Sequence, residues 1–319
     1  MATNLIRFRQ GGGEPQWGVV YGAGISPLSG RYTSTRELIE RGEADWRAAA
    51  GAKPSLSLDA VEALSPVTGP CRLMCQGANY RQHMIDSGMD PDAKGYNMLF
   101  MKSDCSINGP WGEVERPAHV KLLDYEIELA LVFRKPLRGG VTVTPQNIHE
   151  YVFGLTIVND VSARDIQIPE MQFFKGKSYR GFCPLGPYLA VPEPHEFGYL
   201  DKLTLTLSVN GQVRQHDSTG NLVFKPAETI TELSAVTDID PGDALLTGTP
   251  SGCAMLIPPY MVRKLLQFVM SDQKFWTTFK RAQGKRREYL QPGDVMTATI
   301  ASADRAIDLG EQRVKVTGG

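Results

Sequence analysis

The acidic residues of segment 124–131 have the spacing of a metal-binding site. Strand periodicity puts Glu126 and Glu128 on one face of this segment and the apolar Tyr125 and Ile127 on the other. Residues at i and i+2 lie roughly 6.5–7 Å apart along a strand, so two carboxylates can converge on one ion, but they would repel each other if buried without a cation. The alternative is a solvated sheet face, which is the ordinary position of a Glu-x-Glu pair.

Asp160 could supply a third carboxylate to this site. It follows closely on the apolar run 152–158, at a strand end from which a side chain can reach a cleft. Three carboxylates make an all-oxygen site that suits a hard ion, Mg²⁺ or Mn²⁺ before Zn²⁺, and leaves positions for water and a chelating substrate. Ca²⁺ would also be accepted in vitro.

Strands must position these acids, and strand-like runs dominate the later part of the chain. These runs are 122–133, 152–158, 203–209 and 295–300. Earlier, the spacing of Ser34 and Glu37 is a capping box that opens a helix through about residue 50. The sequence therefore predicts an α+β, mainly β fold, with a small N-terminal α+β domain at 1–66 and a larger domain at 67–319.

One stretch, at about 255–290, breaks the strand pattern. Val262, Leu265, Leu266 and Val269 recur at helical spacing with Lys and Arg between them, which indicates a helical insertion. The insertion could wall a pocket, extend a contact between two copies of the chain, or form a surface excursion.

Composition excludes several classes of protein. The formal net charge is −1 with both signs mixed along the chain, so no field exists to hold nucleic acid or an anionic membrane. No window approaches the roughly 18 apolar residues of a membrane helix, and the N-terminus lacks the apolar core of a secretory signal. The five cysteines are scattered without CxxC spacing, which argues against a zinc site or a disulfide framework. We expect a soluble, cytoplasmic protein with a small-molecule substrate.

Several motifs occur together in an order that resembles the fumarylacetoacetate hydrolase family. They are Gly77-Ala78-Asn79-Tyr80 with His83, Glu126-x-Glu128, Asn159-Asp160-Val161-Ser162-Ala163-Arg164-Asp165, Gly176-Lys177-Ser178, Cys183-Pro184-Leu185-Gly186-Pro187, Val209-Asn210-Gly211 and Leu246-Thr247-Gly248-Thr249-Pro250-Ser251-Gly252. The resemblance implies a catalytic domain built as a mixed β-sandwich roll, usually in a homodimer. It also implies one Mg²⁺ or Mn²⁺ held by Glu126, Glu128 and Asp160, the same three residues that the strand argument reached.

The resemblance further implies roles for individual side chains. Lys177 matches the family's active-site lysine. The expected substrate contacts are Tyr80, Arg164, Gln167 and Thr249. For Arg164 the alternative is an ion pair with a neighbouring aspartate, Asp160 or Asp165.

His83 matches the histidine of a mobile lid, which in the family pairs with an acid three residues later. Here that acid is Asp86, where members often carry the longer Glu. An imidazole pKa near 6.5 would let His83, oriented by Asp86, act as general base on a water. The sequence thus predicts metal-dependent hydrolysis of a C–C bond in a small 1,3-dicarbonyl or acylpyruvate-type 2-oxo acid, with Lys177 stabilising the enolate.

Two alternatives to hydrolysis stay open. The same metal site would serve an oxaloacetate-type decarboxylase or a keto–enol or double-bond isomerase. A non-catalytic scaffold with this fold is the minor alternative, because all the expected acids together with Lys177 and His83 are present.

Overall fold

The computed structural model of the chain describes residues 1–170, 172–256 and 271–318. Its strands are β1 (Thr3–Arg9), β2 (Gln16–Tyr21), β3 (Gly24–Pro27), β4 (Leu56–Ser57), β5 (Glu62–Leu64), β6 (Leu73–Gly77), β7 (Met98–Lys102), β8 (Ile107–Asn108), β9 (Glu113–Arg116), β10 (Leu123–Asp124), β11 (Ile127–Phe133), β12 (Val152–Asn159), β13 (Ser162–Ala163), β14 (Cys183–Pro184), β15 (Tyr188–Val191), β16 (Leu203–Val209), β17 (Gln212–Ser218), β18 (Ala244–Leu246), β19 (Val295–Ser302) and β20 (Asp308–Gly318). Its helices are α1 (Thr35–Arg41), α2 (Glu43–Ala50), α3 (Arg81–Asp86), α4 (Arg164–Glu170), α5 (Phe173–Lys177), α6 (Pro226–Val236) and α7 (Asp272–Gln283). The fold is strand-rich and mixes α and β structure, as predicted.

The larger sheet has eleven strands and runs through both predicted domains. Its order is β4-β3-β2-β1-β15-β12-β11-β18-β6-β7, with β5 paired to β1. The N-terminal strands join it because β1 pairs antiparallel with β15. The boundary predicted after segment 1–66 therefore lies within one continuous layer of strands.

The second sheet has five strands in the order β17-β16-β19-β20-β9. The largest apolar cluster contains inward-facing residues of β11 from the first sheet and of β16 and β19 from the second. Alternating side chains of β16 are buried, which is the pattern of a strand with one face on a core. The two sheets therefore enclose a common core, and the runs predicted at 203–209 and 295–300 are confirmed as strands.

The centre of the larger sheet positions the predicted acids. All residues of β11 and β12 are buried, and the two strands run antiparallel, with Ile127 opposite Asn159. The run predicted as one strand at 122–133 is interrupted, because the Glu126 N–H donates to the Asn159 side chain at 3.0 Å and the Glu126 carbonyl accepts from the Asp160 N–H at 2.8 Å. These two hydrogen bonds bring Glu126 and Asp160 together at the start of β11 and the end of β12.

The helix predicted from the capping box begins as expected but is divided in two. The Ser34 hydroxyl accepts from the Glu37 N–H at 3.1 Å and caps α1. α1 ends at Gly42, whose N–H closes the last turn on Leu38, and α2 begins directly after it. Glycine lowers the helix propensity at this point, so a single helix through residue 50 was the wrong prediction.

The insertion contains a helix, α7, in its second half. Val262, Leu265, Leu266 and Val269, on which the prediction was based, lie outside the described residues. A search of the described residues finds no helix with the length and apolar character needed to cross a membrane.

Candidate active site

The three predicted metal ligands converge in the interior of the protein. One carboxylate oxygen each from Glu126, Glu128 and Asp160 lies within 4.8 Å of the others. All three side chains are buried, so the solvated sheet face considered for the two glutamates is wrong. Burying three acids at this distance requires compensation by positive charge.

Lys177 supplies part of that charge. Its Nζ atom lies 2.6 Å from Oε2 of Glu126 and 2.5 Å from Oδ2 of Asp160. Burial alone would lower the pKa of Lys177, but the attraction of Asp160 and Glu126 outweighs it and raises the pKa above the ordinary value. Lys177 is therefore a fixed ammonium ion in contact with two of the three acids.

Lys102 is a second buried cation, and sequence reasoning missed it. Its Nζ atom donates to Oδ1 of Asp160 at 2.5 Å and to the carbonyl of Phe182 at 2.8 Å. The available signal was a lysine that ends the apolar run of β7, but nothing in the local sequence connects it to an acid 58 positions away.

Arg164 pairs with acids other than the two suggested for it. Its guanidinium donates to Asp124 at 2.9 Å, to Glu126 at 2.5 Å and to the Gln167 side chain at 2.8 Å. The suggested pairs with Asp160 or Asp165 are not the ones formed, because pairing of β10 with β13 places Asp124 beside the start of α4. Arg164 thus holds Glu126 in position from the side opposite Lys177.

The charges around the triad do not cancel. The buried acids of this cluster are Asp124, Glu126, Glu128 and Asp160, and the buried cations are Lys102, Arg164 and Lys177. Glu128 accepts a hydrogen bond from the Gly248 N–H at 2.8 Å, and its charge has no ion pair among the described residues. Burial, together with repulsion from Asp160 and Glu126, raises the pKa of Glu128 well above its usual range.

Glu126 differs from Glu128 because cations lie on both sides of it. Burial alone would raise the pKa of Glu126, but Arg164 and Lys177 overcome that effect and lower the pKa to about 2. A carboxylate held ionised beside one that lacks a cation, with Asp160 as a third oxygen donor, fits a hard divalent ion. The residues present could therefore hold a divalent metal ion.

Glu126 and Glu128 of the triad line a cavity of about 320 Å³. Six charged or polar residues of its lining, which we call the polar floor, are Glu126, Glu128, Arg164, Gln167, Lys177 and Thr249. The Thr249 hydroxyl donates to the carbonyl of Ile127 at 3.0 Å and accepts from Gln215 at 2.8 Å, so its position is fixed by the sheet. The structure brings these predicted residues together around one space.

Tyr80 is not part of the cavity wall. Its side chain is fully buried in the largest apolar cluster, and its backbone forms a bridge with Leu222. Burial raises the pKa of its hydroxyl well above the usual range. The structure therefore does not place Tyr80 where a substrate contact was predicted, because this residue precedes α3 and packs into the core beneath it.

His83 and Asp86 lie on α3 but do not form the predicted pair. His83 is half-buried and lines the cavity, and burial lowers the pKa of its imidazole below 6.5. Asp86 is exposed, and its carboxylate accepts hydrogen bonds from Ser251 and from Gln82, the latter at 2.9 Å. The carboxylate is thus directed to the turn after Thr249 rather than to the imidazole.

Aromatic side chains of the cavity were also missed by sequence reasoning. They are Phe100, Phe173, Phe275, Trp276 and Phe279, which we call the aromatic wall. Three of them come from α7, so the insertion walls the cavity, one of the three roles considered for it. Their positions depend on contacts between distant segments, which composition does not reveal.

The chain is similar to one protein family and to several proteins that carry the name of an activity. A model of the fumarylacetoacetate (FAA) hydrolase C-terminal family matches residues 72–317. Oxaloacetate tautomerase YisK of Bacillus subtilis (strain 168) is 37% identical over 214 residues, covering 65% of this chain and 68% of that protein. The human mitochondrial oxaloacetate tautomerase FAHD2A is 35% identical over 239 residues, covering 72% of this chain and 73% of that protein.

Solved structures share the whole fold. A probable 2-hydroxyhepta-2,4-diene-1,7-dioate isomerase from Mycobacterium abscessus superposes with a TM-score of 0.73 at 29% identity, covering 100% of this chain and 99% of that one. A fumarylacetoacetate hydrolase from psychrophilic Exiguobacterium antarcticum superposes with a TM-score of 0.72 at 29% identity, covering 100% of both chains.

Proposed function

The chain belongs to the fumarylacetoacetate hydrolase family, whose model matches residues 72–317, and we propose that this enzyme is a divalent-metal-dependent tautomerase of a 2-oxo acid of the oxaloacetate type. The reaction interconverts the keto and enol forms. The names of the two tautomerase relatives support this choice over C–C bond hydrolysis, which the sequence alone favoured.

The observation that carries the choice is the direction of the Asp86 carboxylate. Hydrolysis was preferred because a complete pair of His83 and Asp86 would activate water. In the structure Asp86 is bonded to Ser251 and Gln82. A neutral imidazole without a carboxylate partner is suited to moving a proton on and off a carbon acid, a reaction that consumes no water.

The proton transfer can be assigned to the chain's own groups. The neutral His83 ring takes a proton from carbon 3 of the keto form, and the resulting imidazolium returns it to the oxygen on carbon 2. Lys177 lines the cavity as a permanent cation and stabilises the negative charge that develops on that oxygen. Atoms and charge balance, since the only net change is the position of one proton.

Glu126, Glu128 and Asp160 would hold the divalent ion, which when bound supplies Lewis-acid stabilisation of the enolate charge. Arg164 keeps Glu126 ionised and oriented for that role. Gln167 and Thr249 line the same cavity and offer neutral hydrogen bonds that fix the orientation of the substrate.

The test follows enol absorbance after fresh enol-oxaloacetate is mixed with the enzyme and Mg²⁺, with EDTA as the control. We expect faster decay of the enol, abolished by EDTA, without CO₂ or pyruvate above the uncatalysed rate. Release of CO₂ at the rate of enol loss would identify a decarboxylase. Cleavage of an acylpyruvate into pyruvate and a carboxylic acid, with no effect on the decay of enol-oxaloacetate, would mean that the enzyme is a hydrolase.

A further inference from the structure

The lining of the cavity is of two chemical kinds. One is the polar floor, and the other is the aromatic wall (Phe100, Phe173, Phe275, Trp276 and Phe279) together with the apolar Met89, Met98, Ile168 and Met255. A volume of about 320 Å³ is at the small end of the range found for ligand sites of roughly 300–1,000 Å³. A substrate that fills it must place most of its surface against apolar groups.

The aromatic wall begins at the polar floor itself. The Nζ atom of Lys177 lies 5.4 Å from the centre of the Phe100 ring, and Phe100 packs edge-to-face against Phe173 with ring centres 5.0 Å apart. Lys177 is the residue that joins Glu126 and Asp160. The substituent on carbon 3 of a bound 2-oxo acid would therefore meet aromatic surface next to the reacting atoms.

The rings of α7 form the far part of the wall. Trp276 lies 4.9 Å from Phe275 and 5.8 Å from Phe279, measured between ring centres, and both contacts are edge-to-face. Phe275 is 4% exposed, whereas Trp276 and Phe279 keep free surface. All three rings line the cavity, and the buried Phe275 is the one that fixes the cluster to the protein.

Hydrogen bonds attach α7 to the segment that follows the floor. The Gln283 side chain donates to the carbonyl of Leu256 at 2.8 Å and accepts from the Tyr289 hydroxyl at 2.8 Å. Asp124, the partner of Arg164, accepts the N–H of Ala254 at 2.8 Å. Asp124 therefore fixes the start of this segment at Ala254, and Gln283 attaches α7 to the same segment at Leu256.

The charges of the described lining oppose a second carboxylate at the wall. Among the described residues that line the cavity, the lysine and arginine side chains are Lys177 and Arg164, and each is already bound to two acids. A carboxylate beside Trp276 and Phe279 would lose hydration without gaining a cation from the described part of the lining. An aryl group in the same place would gain apolar burial and edge-to-face contacts.

We propose that the aromatic wall selects 2-oxo acids whose carbon 3 carries an aryl or bulky apolar group, in preference to the dicarboxylic oxaloacetate. This inference rests on the proposed tautomerase function and replaces oxaloacetate by an aryl-substituted 2-oxo acid as the preferred substrate of that reaction. Phenylpyruvate is the probe, and pyruvate is its counterpart without the ring.

The first measurement is binding to the Mg²⁺-loaded protein by titration calorimetry. Burial of a phenyl group corresponds to about a tenfold to hundredfold gain in affinity, so phenylpyruvate should bind that much more tightly than pyruvate. Trp276→Ala and, independently, Phe279→Ala should each remove about tenfold of this gain and weaken pyruvate binding less, and circular dichroism should show that both variants are folded. Thr278→Ala, at an exposed position of the same helix, is the matched control.

The second measurement is the tautomerisation of phenylpyruvate and of oxaloacetate by the wild-type enzyme. We expect a kcat/KM for phenylpyruvate about tenfold or more above that for oxaloacetate, and a loss of about tenfold of this preference in each of the two ring variants. Faster turnover of oxaloacetate, or equal loss of pyruvate and phenylpyruvate binding in the variants, would overturn the substrate class while leaving the tautomerase intact. Acceleration of neither acid would overturn the proposed function and this inference with it.

Discussion

The polar floor and the aromatic wall enclose one cavity but are built by different means. The floor lies where β11 and β12 meet at the centre of the larger sheet, and ion pairs between buried side chains hold it. The α7 part of the wall comes from an insertion and is attached by hydrogen bonds of the uncharged Gln283 side chain. The comparison indicates that the core fixes the chemistry, whereas an attached helix adjusts which substrate reaches it.

Loss of a floor carboxylate should affect every substrate. Glu126→Gln keeps the side-chain shape but removes a charge that Arg164 and Lys177 both contact. We expect Mg²⁺ affinity to fall about a hundredfold or more and tautomerisation of oxaloacetate and phenylpyruvate to fall together about a thousandfold. Calorimetry and the enol assay measure the two effects. The control is Glu115→Gln, at an exposed position in β9, and equal Mg²⁺ affinity in both variants would refute the metal assignment.

Lys102 tests whether the floor depends on charge balance. Lys102→Met leaves Asp160 with one cation fewer in a buried site. We expect the free energy of unfolding to fall by about 3 kcal/mol, since breaking a buried pair leaves an uncompensated charge. Urea unfolding monitored by circular dichroism measures it, with the exposed Lys315→Met as control. Equal stability of the two variants would mean that Lys102 does not contribute to the balance.

The attachment of α7 tests the wall separately from the floor. Gln283→Ala removes two of the contacts that join the helix to its surroundings. We expect KM for phenylpyruvate to rise about threefold to tenfold, equivalent to roughly 1 kcal/mol for a lost hydrogen bond, with kcat nearly unchanged. Steady-state kinetics of the variant with phenylpyruvate and with oxaloacetate measure this change. A parallel loss of kcat for oxaloacetate would show that wall and floor are not independent.

Of the effects expected here, the change of kcat/KM with pH near neutrality should be the smallest. Burial lowers the pKa of His83 below 6.5, so the neutral ring that accepts the proton persists to lower pH than in a free imidazole. We expect kcat/KM to be flat above about pH 7 and to fall only on the acid side of pH 6.5. An acid limb centred above that value would assign the proton transfer to another group.

Local sequence predicted the floor better than the wall. The i, i+2 spacing of Glu126 and Glu128 and the strand end before Asp160 are local features, and each follows from strand geometry. The contact of Lys102 with Asp160 joins segments 58 residues apart, and no periodic pattern encodes such a contact. The same holds for the aromatic rings, which the sequence places in separate elements.

Helix α3 shows that helical spacing alone does not determine which side chains pair. His83 and Asp86 are one turn apart, so both could share a face of α3. The turn after Thr249 places Ser251 within reach of Asp86, and that tertiary contact competes with the local pair. Sequence spacing determines which side chains can form a hydrogen bond, but not which of the possible partners does so in the folded protein.

In the proposed reaction, His83 transfers the proton between carbon 3 and the oxygen on carbon 2 without help from Asp86. This claim is tested most directly by the rate of enol-oxaloacetate tautomerisation in His83→Ala and Asp86→Asn, each loaded with Mg²⁺. We expect a loss of about a hundredfold or more in the first variant, the usual contribution of a general base, and less than about threefold in the second. Equal, large losses in both variants would contradict it and restore the water-activating pair.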